Sequence, residues 1–103
     1  MKIYYFSKTF PREEKFGLIA QIRNSSRSVC TNIVEAYKRR RYKDYFISKL
    51  NDSETENAET QVWSDFSLAC KYFDEQSYQE LKSENDEVAK LLLYMISNPD
   101  KFL

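Results

Sequence analysis

FPREEKFGLIAQIRNSSRSVCTNIVEAY, residues 10–37, decides the fold. Pro11 suits a first helical turn, where its missing N–H would have no partner anyway. Glu13 and Glu14 follow, at the end where the helix dipole favours negative charge. Leu18, Ile22, Ser25/Ser26, Val29, Ile33 and Tyr37 recur at three- and four-residue steps, and Ile19, Cys30 and Val34 widen the stripe. The spacing predicts one helix from about Pro11 to about Lys38. It runs into a basic cluster, Lys38-Arg39-Arg40-Arg41.

Downstream, Tyr42, Tyr45, Phe46 and Leu50 restart the pattern. After a polar interval, Val62, Trp63, Phe66, Ala69, Cys70 and Phe73 continue it, with an end expected near Phe73-Asp74. Ser77-Tyr78-Gln79-Glu80 has the form of a capping box, with Ser77 as N-cap. Val88, Leu91, Leu92, Met95 and Ile96 mark a last helix, which Asn98-Pro99 stops. Upstream, Ile3 to Ser7 spans at most two turns, too little for a stable helix alone.

The 103 residues suit a single domain, 1–103, with one core. One glycine and two prolines are too few for sheets joined by tight turns, so a few long helices are expected. Net charge is zero but polarised: residues 1–51 carry 12 Lys+Arg against 4 Asp+Glu, and residues 52–103 carry the reverse. Cys30 and Cys70 fall at apolar-periodic positions and read as buried free thiols of a reducing compartment. No signal-like or membrane-length apolar run occurs, which predicts a soluble cytoplasmic protein without a membrane partner.

Catalytic chemistry is hard to build here. With no histidine, Ser-His-Asp, Cys-His, zinc-hydrolase and Glu-x-x-His di-iron sites are all excluded. A single glycine excludes phosphate-cradling loops. The acidic run at residues 52–56 fails as a calcium loop, because Asn57 replaces the turn glycine and Trp63 the bidentate glutamate. No enzyme activity, cofactor, metal or small-molecule substrate is expected.

A short connection near residues 38–41 makes the two long helices antiparallel, with facing residue numbers summing to roughly 80. The polar stretch at residues 23–28 then lies level with the polar interval at 51–61. A hydrophilic middle layer follows, with Arg23 near Glu56 and Glu59, and Arg27 near Asp52, Ser53 and Glu56. Either residues 51–61 form a helix carrying this layer, or they break; alternatively the layer faces another subunit.

The basic tip is the constellation best suited to a ligand. Lys38, Arg39, Arg40, Arg41 and Lys43 cluster at the turn, interleaved with Tyr37, Tyr42 and Tyr45. Guanidinium groups grip phosphates and tyrosine faces stack unpaired bases. Equally, cations at a helix C-terminus complement its dipole. Asp74, Glu75, Glu13 and Glu14 are expected at the opposite, acidic pole.

Phe10-Pro11-x-Glu13-Glu14, Gly17-Leu18, Gln21-Ile22-Arg23, Ser28-Val29, Asn32-Ile33-x-Glu35 and Ser53-x-x-Glu56-x-x-Glu59-Thr60-Gln61 through Ala69 and Tyr72 resemble a four-helix-bundle family. That family includes proteins encoded in intervening sequences of bacterial 23S rRNA genes, the S23-like proteins. It is distantly related to accessory proteins of diversity-generating retroelements. The resemblance implies an all-α, antiparallel up-and-down four-helix bundle, here with a truncated first helix, and a homo-oligomer, in several relatives a pentameric ring. It implies no enzymatic activity. Ala36 stands where the family has a turn glycine. Two functions are therefore expected as alternatives: a self-associating bundle that binds RNA or DNA through the basic tip, or a protein-interaction scaffold with no nucleic-acid role.

Overall fold

A computed structural model describes residues 2–12 and 17–103. Its helices are α1 (Lys2–Ser7), α2 (Leu18–Lys38), α3 (Lys43–Ala69) and α4 (Glu75–Ser97), followed by a 3₁₀ turn, Pro99–Lys101. The molecule is elongated, 44 × 24 × 17 Å. α2 and α4 run antiparallel to α3, and their backbones pack on it rather than closely on each other. α1 bridges them at one end. This is the expected up-and-down bundle with a short first helix. Six residues of α1 cover about 9 Å, roughly a third of the length of α2. Beside the first residues of α1, a cleft of about 240 Å³ opens between α2 and α4, lined by Ile3, Val29, Cys30, Asn57, Leu81 and Val88 among others.

The apolar core comes in two parts. One, at the α1 end, holds Ile3, Phe10, Leu18, Ile22, Phe73 and Leu81. The other, at the far end, holds Ala36, Phe46, Leu50 and Leu92. Between them α2 and α3 meet through small polar residues. Ser53 Oγ donates to Val29 O at 2.7 Å, and Thr60 Oγ1 lies 2.9 Å from both Ser25 Oγ and Glu56 O. Asn57 Nδ2 donates to Asn85 O of α4 at 2.9 Å. The polar interval is therefore one unbroken helix carrying a hydrophilic middle layer. Facing pairs sum to 82 for Val29/Ser53 and 85 for Ser25/Thr60, a few residues beyond the expected 80.

α3 is turned differently from its hydropathy. Its buried residues are Phe46, Leu50, Ser53, Asn57, Thr60, Ser64 and Ser67, an unbroken alternation of three- and four-residue steps. Five of the seven are polar. Small side chains permit the close approach, so the bulky stripe expected to be core rotates outward: Val62 is 47% and Phe66 53% exposed, and Ala69 and Cys70 are exposed too. Of that group, Phe73 is buried in the first core and Trp63 packs at its edge. In α4, Leu92 is buried but Leu91 is 57% exposed. Both cysteines are free and exposed, not buried: Cys30 borders the cleft and Cys70 caps α3.

Helix ends also depart from expectation. α2 starts at Leu18, not Pro11, because Gly17 sits outside helical geometry at φ −100°, ψ −108°. Before it, Phe10 is held against Tyr72 and Phe73, with ring centroids 5.2 and 5.0 Å away. Glu13 and Glu14 lie outside the described residues. Ala36 stays helical and fully buried, and the turn forms at residues 39–42. α3 ends at Ala69, short of Phe73. Lys71 takes a left-handed φ of 63°, and the N–H groups of Lys71 and Tyr72 return to Leu68 O and Ser67 O, satisfying carbonyls of the last turn. The N-cap of α4 is Asp74, not Ser77; Asp74 Oδ1 accepts the Ser77 N–H at 2.7 Å.

Ser53 is the tightest test of this packing. Ser53→Leu adds apolar volume where none fits, and should lower stability by about 1–3 kcal/mol in urea unfolding. A raised or unchanged midpoint would mean that α2 and α3 are not in close contact there.

Candidate nucleic-acid interface

The α2–α3 turn gathers the cations. α2 delivers Lys38 in its last turn, residues 39–42 reverse the chain, and α3 begins at Lys43. Each arginine lies over a tyrosine ring. Arg40 is 4.0 Å from the Tyr37 centroid and its Nη1 donates to Tyr37 O at 3.2 Å. Arg41 is 5.2 Å from Tyr42, and Arg39 is 5.8 Å from Tyr45. Such stacking keeps a guanidinium's N–H edge available for anions. Tyr37, Tyr42 and Tyr45 are exposed. Among the described residues, Lys38, Arg39, Arg40 and Arg41 have no ion pair; Lys43 Nζ has one, with Asp100 Oδ1 at 3.0 Å. That pair is open to solvent on both sides and leaves most of the local positive field intact.

α4 adds groups the sequence pattern did not single out. Its end returns to the same pole, where Lys101 Nζ lies 5.2 Å from the Tyr94 centroid and donates to the Tyr94 hydroxyl at 2.9 Å. The lengths of α3 and α4, 27 and 23 residues, carry this information: an antiparallel helix nearly as long as its predecessor must end near where that one began. The pole thus carries Lys38, Arg39, Arg40, Arg41, Lys43 and Lys101 against Asp44 and Asp100. Asp74 and Glu75 lie at the other end, beside Lys71.

The charged residues assigned to the middle layer are not in it. Arg23 turns to α1, donating from Nε to Ser7 Oγ at 2.7 Å and lying 4.5 Å from the Tyr4 ring. Arg27 is exposed. No ion pair joins either arginine to Asp52, Glu56 or Glu59 among the described residues. Asp52 faces Lys49 at 3.6 Å, while Lys49 also bonds Glu35 across the helices at 2.7 Å. Glu56 has a raised pKa, from burial first and then from the charges of Glu59 and Asp52.

The chain is thus an all-α bundle with a basic, tyrosine-bearing pole. The family description "23S rRNA-intervening sequence protein" matches residues 1–94, and the chain belongs to that family. A crystal structure of a protein of unknown function from the S23 ribosomal protein family of Bacteroides thetaiotaomicron VPI-5482 is similar, with a TM-score of 0.81 and 29% identity. The match covers 91% of this chain and 84% of that one. Comparison with curated proteins finds no match. Among the described residues, no helix is long and apolar enough to cross a membrane.

Glu56 supplies a pH test. Its folded-state pKa lies above the ordinary 4.5, so the folded chain holds the proton more tightly than the unfolded one and ionisation costs stability. Glu56→Gln should therefore stabilise the protein at neutral pH. The gain should shrink as pH falls through the raised value and vanish below the ordinary one, as followed by thermal unfolding at several pH values. A loss of stability at neutral pH would show that Glu56 has a cationic partner after all.

Proposed function

We propose that this chain is a non-enzymatic, self-associating bundle that binds RNA or DNA through its basic tip. Lys38, Arg39, Arg40, Arg41, Tyr42 and Lys43 form the contact surface. The observation that carries this reading is the run of three arginines stacked on tyrosines and left without carboxylate partners among the described residues. Cations that only complement the α2 dipole would not need a tyrosine under each one. Self-association brings several tips together, so that weak phosphate contacts act as one stronger site. A ring of five is the number the family resemblance implies.

The outward apolar face of α3 supports self-association. Val62, Phe66 and Ala69 form an exposed patch on a long helix, the kind of surface that a second protomer covers. The same patch favours the alternative, a protein-interaction scaffold with no nucleic-acid role. The two separate on the tip.

Changing Arg39, Arg40 and Arg41 to Glu should abolish salt-sensitive binding to RNA or single-stranded DNA while leaving helical content intact. Binding of the parent protein should fall with salt, with a log–log slope of about −0.7 per phosphate contact. Absence of binding at low salt, or an unaffected triple variant, would favour the scaffold. Independently, Phe66→Glu should shift the light-scattering mass toward monomer; an unchanged mass would place the self-contact elsewhere.

A further inference from the structure

We infer that the tip is selective for single-stranded over double-stranded nucleic acid. This rests on the reading of the tip as a nucleic-acid interface and names its ligand. The argument is geometric. Tyr37, Tyr42 and Tyr45 remain 57%, 53% and 44% exposed although each has a guanidinium over its ring. Each tyrosine therefore keeps solvent-open surface that a base can approach. A base stacking there would complete a guanidinium–tyrosine–base arrangement, with the arginine N–H edge free to reach a neighbouring phosphate.

Duplexes cannot use these platforms. Their base faces are occupied by neighbouring pairs, so only backbone phosphates would meet the tip. Direct readout of a duplex also needs a helix or ribbon seated in a groove. Here the cations lie on a reverse turn between two helices, with the tyrosines on the turn and on the last and first turns of α2 and α3. Unpaired bases offer the π-faces that the three exposed rings can take, and stacking of this kind tolerates any sequence.

The test uses the whole protein and three labelled probes of one sequence, each about 12 nucleotides long: RNA strand, DNA strand and blunt DNA duplex. Fluorescence anisotropy at one salt concentration should show both single strands binding about tenfold or more tightly than the duplex. Replacing Tyr37, Tyr42 and Tyr45 together with Leu should remove that preference, weakening single strands by about tenfold or more and the duplex far less. Replacing the same three with Phe, which keeps the rings, should retain it. Duplex binding equal to or tighter than single strands, still abolished by the Arg-to-Glu change, would overturn this inference and leave the nucleic-acid reading standing. So would an equal loss on all probes with Leu, or loss of preference in a folded Phe variant. No binding of any probe would overturn both.

Discussion

The close approach of α2 and α3 through serine and threonine is the constraint on which the rest of the structure depends. Ser25, Ser53 and Thr60 are buried where a bundle ordinarily places leucine or isoleucine. Their size lets the backbones come together, and their hydroxyls bond across the helices, Thr60 to Ser25 Oγ and Ser53 to Val29 O. Because the layer fixes the azimuth of α3, it also decides what points away. Val62 and Phe66 face outward for that reason, and Phe46 and Leu50 are left to close the core beneath the basic turn.

The two poles follow from the same arrangement. An antiparallel α3 as long as 27 residues carries the chain from the cationic turn to Ala69 in one unbroken run, and a turn at residues 70–73 leads on to Asp74. α4 brings Tyr94 and Lys101 back to the start. The charge asymmetry between the two halves of the sequence becomes an asymmetry of position only for the groups near the turns. The acidic residues of mid-α3 remain along the shaft, where burial and the charges of Glu59 and Asp52 raise the pKa of Glu56.

Much of this was legible in the sequence, for reasons that also explain what was not. Three-four spacing located α2, its end at Lys38 and the last helix. The shared height of two polar stretches located the middle layer. Height, however, carries no azimuth: Arg23 is two residues from Ser25, about 200° around the helix, and so meets α1 rather than α3. Hydropathy misdirected the reading of α3, since five of its seven buried residues are polar and its bulky stripe lies outside. Ser77 fits the form of a capping box, yet its N–H serves Asp74, which sits three residues earlier. At the basic tip the cations were plain from composition, while their stacking partners and the contribution of Lys101 required the fold.

Native-state hydrogen exchange tests the hydroxyl-mediated contact most directly. If α3 is continuous and packed on α2 through Ser53 and Thr60, amides at residues 53–60 should exchange only through global unfolding, with the same free energy as those of Phe46 and Leu50. Exchange of residues 53–60 through a separate, lower-energy opening would show that the polar interval is a break between two shorter helices, and the account of the fold would fail with it.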